Sequence, residues 1–237
     1  MRLRSGAVPA GAAGGQLSPI WHPSPNFGPR RDGARPDLVV IHYTAMDSAE
    51  RARDWLCDPA AQVSAHYVIC PRGRVWQLVD EAERAWHAGA GAWGAVTDVN
   101  SRSIGIELAN TGTQPFAEPQ MAALEALLRG IVDRWSVRPE RVIGHSDMAL
   151  GRKIDPGARF DWLRLARLGL AVWPGMGGSG DFLTNARRFG YAPAEAQEDR
   201  VLPAFRLRFR PWATGPLDDV DRALIADLAA RYPVAQA

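Results

Sequence analysis

Two histidines close apolar runs that read as β-strands. Leu38-Val39-Val40-Ile41 ends at His42, and Arg141-Val142-Ile143-Gly144 ends at His145. Asp155 follows ten residues after His145, inside Gly151-Arg152-Lys153-Ile154-Asp155-Pro156-Gly157. Two imidazoles and one carboxylate can supply three ligands to Zn2+ and leave a fourth position open. Zinc so held activates water and polarises a carbonyl, which suits hydrolysis of an amide. That reaction also needs a carboxylate to carry a proton from the water to the leaving amine. Glu107 is the candidate. In Ser103-Ile104-Gly105-Ile106-Glu107-Leu108 the period of two puts Gly105 and Glu107 on one face and Ile104 and Ile106 on the other. Lys153, the only lysine in the chain, stands two residues before Asp155 and could stabilise an oxyanion.

Residue type and spacing leave other meanings open. The two histidines are 103 residues apart, and a histidine at a strand end can serve as a hydrogen-bonded structural residue. Asp155 before Pro156 can start a turn. Glu107 can pair with an arginine, and Lys153 can be a surface charge. His66, after Val63-Ser64-Ala65, reads as structural or supporting. His87 is expected to line a cleft with Trp86 and Trp93, because indole faces suit sugar rings.

The elements that must position these groups alternate in type. Leu38–Ile41 fits a strand buried on both faces. A short helix is expected over 48–56, with Ser48 as N-cap. His66–Cys70 and Val75–Val79 flank the turn Pro71-Arg72-Gly73 and predict a hairpin. Ser103–Leu108 and Arg141–Gly144 are further strands. From Pro119 to Trp135, residues Met121, Leu124, Leu127, Leu128, Ile131 and Val132 recur at helical spacing, and 160–168 reads as another helix. This order predicts an α/β fold, a mixed central β-sheet flanked by helices. The Gly-rich stretch from Pro174 to Gly180 divides residues 1–175, including an irregular arm over 1–36, from a small three-helix C-terminal domain over 176–237. Its helices are expected over 182–189, 194–209 and 218–232.

Composition bounds the rest. Hydrophobic residues at 46 % and charged residues at 23 % are enough for a packed core and argue against disorder. A formal charge of only +2 argues against a nucleic-acid binder. Cys57 and Cys70 make no disulfide framework and no zinc-ligating pair, so both are read as reduced thiols. There is no apolar run long enough for a transmembrane helix. The N-terminal residues show no apolar core of a signal peptide and no lipobox cysteine, which gives a cytoplasmic expectation, or a periplasmic one if the start codon is misassigned.

The same motifs, in order, resemble the N-acetylmuramoyl-L-alanine amidases of the AmpD and AmiD type, also called amidase type 2. That group is related in fold to phage T7 lysozyme and the peptidoglycan recognition proteins. The similar pieces are Ser24-Pro25-Asn26, Leu38 to Thr44, Val63 to Tyr67, Ala85-Trp86-His87-Ala88-Gly89, Asn100 with Ser103 to Leu108, Gly144-His145-Ser146-Asp147, and Arg152 to Gly157. They span roughly residues 20 to 170. The resemblance implies Zn2+ on His42, His145 and Asp155, an acid/base role for Glu107 and an oxyanion role for Lys153. It implies cleavage between N-acetylmuramic acid, in its 1,6-anhydro form or in polymeric peptidoglycan, and L-alanine. Trp93, His87 and Asn100 are expected substrate contacts, and a monomer is the expected state. The alternative on the same fold is a murein receptor without catalysis. The stretch Val201–Pro211, then Gly215-Pro216-Leu217-Asp218, resembles a three-helix peptidoglycan-binding module; a helical cap on the main core is the other reading.

Overall fold

The computed structural model describes residues 18–192 and 197–234. Its centre is a six-stranded mixed sheet. In chain order the elements are β1 (Ile20–Trp21), β2 (Phe27–Gly28), β3 (Leu38–Tyr43), α1 (Ala49–Leu56), β4 (Tyr67–Ile69), β5 (Val75–Gln77), β6 (Arg84–Ala85), α2 (Val99–Arg102), β7 (Ser103–Leu108), α3 (Glu118–Trp135), β8 (Val142–Gly144), α4 (His145–Met148), α5 (Trp162–Arg167), α6 (Phe182–Phe189), α7 (Glu198–Phe209) and α8 (Asp219–Arg231). The sheet order is β1-β5-β4-β7-β3-β8, and β2 pairs separately with β6. β3 runs parallel to both β7 and β8, and β4 runs parallel to β7. The expected hairpin is the antiparallel pair β4 and β5.

Alternation along the strands assigns the two faces. Val39, Ile41, Ile104, Ile106, Leu108 and Val142 pack with Met121, Leu124, Leu127, Leu128 and Ile131 of α3. The opposite face carries Leu38, Val40 and Ile143, and His42 and Glu107 point to that side by the same period of two. β3, apolar from Leu38 to Ile41, thus switches to chemistry only at its end. Ser48 caps α1 as expected, its hydroxyl accepting from Arg51 N–H at 3.2 Å.

The chain before β3 is more ordered than an irregular arm in its described part. β1 joins the edge of the main sheet alongside β5. Ser24 Oγ donates to Leu56 O at 2.6 Å, and Asn26 Nδ2 donates to Asp58 O and Val63 O, both at 2.8 Å. Arg30 is buried and donates to the carbonyls of Glu81, Ser101 and Ser103. Polar side chains that bond backbone carbonyls over long sequence separations leave no periodic mark, so low periodicity does not report them.

The three expected C-terminal helices form, the second beginning at Glu198; the start of its expected span, Ala194, lies outside the described residues. Their apolar side chains do not close on themselves. Phe182, Phe189, Val201, Phe205, Phe209, Ile225 and Leu228 share one buried cluster with Leu38, Val40 and Ile143 of the sheet. Arg208 of α7 reaches through this cluster, 2 % exposed, and donates to Asp147 Oδ2 at 2.8 Å and to Val142 O at 3.0 Å. Tyr191 Oη donates to the other Asp147 oxygen at 2.8 Å. Asp147 in turn accepts from Gly144 N–H at 2.8 Å, so the C-terminal helices are tied to the turn that carries His145. No described helix is long and apolar enough to cross a membrane. Cys57 and Cys70 are free thiols.

Candidate active site

Three neighbouring strand ends bring the chemistry together. Register pairs Ile41 with Gly144, so the next residues, His42 and His145, stand side by side beyond β3 and β8. Register also pairs His42 with Glu107 across β3 and β7. Asp155 returns from the following loop, where Ser146 N–H donates to its carbonyl at 2.9 Å. Gly144 has to be a glycine: a Cβ there would stand 2.8 Å from Cδ of Pro156, the residue that brings Asp155 in.

His42 Nδ1, His145 Nδ1 and Asp155 Oδ2 form a triangle with 3.0 Å on every side. All three side chains are buried. Three potential ligand atoms so close suit one cation, since tetrahedral ligands at ~2.0–2.2 Å from zinc are only slightly further apart. Hydrogen bonding strengthens the fit. His145 Nε2 lies 2.9 Å from Ala88 O, which can only accept. Nε2 therefore carries a proton, and Nδ1 is the nitrogen left to face the Asp155 carboxylate and to serve as a ligand when it carries none. A bare Nδ1 and a carboxylate oxygen at 3.0 Å repel unless positive charge lies between them, supplied by a second imidazole proton or, when one is bound, by a cation.

Electrostatics follow the same arrangement. Burial, then the neighbouring His145, lowers the His42 pKa to about 4 against the opposing pull of Asp155. Burial pushes Asp155 up, but the contacts with His145 and His42 outweigh it and hold the carboxyl well below its usual range. Burial and the Asp155 charge push Glu107 up to about 8, opposed by Lys153. Among the described residues, Glu107 Oε2 is a buried oxygen with no hydrogen-bond partner. An unpaired buried carboxyl oxygen is costly to keep, and its place is a cleft of about 370 Å³ shared with His42, His145, Lys153 and Asp155. Trp55 and Ile154, 51 % and 61 % exposed, are apolar parts of the same wall.

His42, His145, Asp155, Glu107 and Lys153 thus all face one cleft, as do Trp86 and His87. Two expected substrate contacts do not. Trp93 is fully buried, its ring edge-on to Phe189 at 5.4 Å and to Tyr191 at 5.3 Å, so it is a core residue beneath the C-terminal helices. Asn100 lies behind the cleft wall, where its Oδ1 accepts from His87 N–H at 3.1 Å and Ala88 N–H at 2.9 Å. Its Oδ1 is thus used on the backbone of this wall. His66 is structural: Nδ1 accepts from Gly105 N–H at 3.0 Å, which leaves Nε2–H for Glu83 O at 3.1 Å. Arg152, not singled out in the sequence, donates from the rim to Ala88 O at 2.7 Å and also bonds Ala90 O.

A sheet-borne cleft with a three-residue cluster able to hold a metal ion and a buried carboxyl oxygen without a partner is the equipment of a hydrolase. Comparison with known proteins gives the class its family. Residues 32–158 match the N-acetylmuramoyl-L-alanine amidase family model, Amidase_2, and the chain belongs to that family of enzymes. It is 37 % identical over 233 residues to N-acetylmuramoyl-L-alanine amidase AmiD of Escherichia coli K12, covering 82 % of this chain and 83 % of that protein. It is 35 % identical over 159 residues to the 1,6-anhydro-N-acetylmuramyl-L-alanine amidase AmpD of the same organism, covering 60 % of this chain and 87 % of that one. The fold superposes on E. coli AmiD in complex with the substrate anhydro-N-acetylmuramic acid-L-Ala-D-gamma-Glu-L-Lys. The TM-score is 0.76, with 34 % identity over 89 % of this chain and 93 % of that one.

Proposed function

We propose that this amidase is zinc-dependent and hydrolyses the amide between N-acetylmuramic acid, in its 1,6-anhydro form, and the L-alanine of the stem peptide. The observation that carries the reading is the His42–His145–Asp155 triangle, 3.0 Å on each side, with the unpaired Glu107 oxygen in the same cleft. The substrate of the AmiD complex supports the anhydro form. When bound, zinc supplies polarisation of the scissile carbonyl and activation of the attacking water.

The chain's own residues supply the remainder. His42 Nδ1, His145 Nδ1 and Asp155 Oδ2 hold the ion. Glu107 takes the proton from the attacking water and passes it to the alanine nitrogen as the amide bond breaks, which needs a carboxyl able to exist in both states near neutral pH. Its value of about 8 shows how strongly its surroundings favour the protonated form, and a bound cation draws it back down. Lys153, which lines the cleft, supplies positive charge toward the oxyanion of the tetrahedral carbon. A wall-binding role for the C-terminal helices belongs to the same proposal; Met176 before them and Trp212 between the second and third, each 71 % exposed, are large apolar side chains left uncovered.

A substrate panel tests it. Soluble 1,6-anhydro-muropeptides, intact sacculi and short acylated peptides are incubated with the protein and the products identified by mass. Fast release of the intact stem peptide from the anhydro-muropeptide is expected. Preference for peptides that lack the sugar would refute the substrate assignment.

A further inference from the structure

Behind the cleft wall runs a hydrogen-bond chain whose direction is fixed at its far end. Val99 O can only accept, and Ser103 Oγ lies 2.6 Å from it. Two oxygens that close require a hydrogen between them, so the Ser103 hydroxyl donates to Val99. Ser103 Oγ then accepts at 3.1 Å from His87 Nε2–H. A neutral imidazole with its proton on Nε2 has a bare Nδ1. His87 Nδ1 lies 3.0 Å from His42 Nε2 and accepts from it. The His42 proton is therefore on Nε2, and its Nδ1 lone pair faces His145 Nδ1 and Asp155 Oδ2.

The same short strap serves both histidines. His87 receives the outer N–H of His42, and the next residue, Ala88, receives the outer N–H of His145 through its carbonyl. Asn100 Oδ1 fastens the strap by bonding both of its backbone N–H groups. Gly105 makes room for it, because a Cβ there would lie 2.5 Å from Cγ of His87. Alternation along β7 puts Ser103, Gly105 and Glu107 on one face, so the strand that presents Glu107 also seats and polarises the His87 ring.

We propose that His87, seated by Gly105 and held by Ser103 and Asn100, is a positioning residue that fixes the tautomer of His42 and thereby sets the grip on the metal. It rests on the metal-centre reading given above. Partners of this kind on the far nitrogen of a ligating histidine change metal affinity by ~10–100-fold when lost.

Nitrogen-15 NMR of the wild-type protein, with and without zinc, reads the tautomer directly and needs no variant. His42 is expected with the proton on Nε2 in both states. Zinc affinity is then measured by competition with a chromophoric chelator. His87→Phe, which cannot accept, is expected to lose ~10–100-fold. His87→Asn, whose Oδ1 can accept where Nδ1 stands, is expected to stay close to wild type. Ser103→Ala is expected to fall between them, with His42 in a mixture of tautomers. A His42 proton on Nδ1 in the wild type, or a folded His87→Phe protein that holds zinc as tightly as wild type, overturns the proposal and leaves the metal centre standing. A wild-type protein that binds no zinc removes the metal centre, and this inference with it.

Discussion

Replacing Glu107 by glutamine should remove activity and, in the metal-free protein at pH 8, raise stability. The carboxyl is held near 8 in the fold against an ordinary 4.5. A raised acid favours the fold only while it is protonated. Below pH 4.5 folded and unfolded chains both carry the proton and nothing is lost. As pH rises from about 4.5 to about 8, the unfolded chain ionises freely while the folded one resists, so stability drains away and then levels off. At ~1.4 kcal/mol for each pH unit between the two values, the loss is at most about 5 kcal/mol. Glutamine has no such charge. For a chain of this size ~1 kcal/mol moves Tm by ~2–4 °C, so the variant should melt on the order of 10 °C above wild type at pH 8. The gap should close toward pH 4.5. The assay is thermal unfolding of both proteins in chelator at pH 4.5, 6.5 and 8. Added zinc should narrow the gap, since a cation beside Glu107 favours its charge. A gap independent of pH, or a wild type that outlasts the variant at pH 8, would refute the assignment of Glu107 as a desolvated acid.

The tie between the C-terminal helices and the His145 turn is also testable. Arg208→Met leaves the fully buried Asp147 charge without its partner, which should cost ~3–5 kcal/mol in a denaturant melt; Arg208→Met with Asp147→Asn should recover much of the loss, and additive losses would contradict a direct pair. Trp93→Phe should lower Tm and leave KM unchanged, because Trp93 is core. Ile154→Ser on the cleft wall should raise KM with little change in Tm, and the reverse pattern would restore Trp93 as a substrate contact.

How far the sequence reaches depends on how each residue does its work. β3 and β7 were legible because buried strands write themselves as apolar runs, and His42, Glu107 and His145 stand out where those runs end. Asp155 and Lys153 could be nominated from their place after His145, but only the family motif set their roles apart from a turn and a surface charge, since a loop residue has no period to betray it. Trp93 was misplaced because an indole suits a sugar and a core equally well; what decides is the approach of Phe189 and Tyr191 from nearly a hundred positions on. Asn100 and Ser103 act through backbone groups and a second imidazole, contacts that only the folded register creates. For Ser103 a signal existed: it shares the strand face of Glu107, four residues away. Arg208 and Asp147 meet across 61 positions, and neither is marked beforehand as one of a buried pair.

Metal content and bond cleavage can be followed on the same sample. The protein is stripped with chelator, reloaded with zinc, and assayed on a 1,6-anhydro-N-acetylmuramyl peptide, with His145→Ala carried alongside. A single zinc per wild-type chain is expected, with none retained by His145→Ala, and so is release of a peptide with a free L-alanine amine that stops on stripping and returns on reloading. Undiminished cleavage by the stripped protein or by the variant would contradict zinc-dependent hydrolysis.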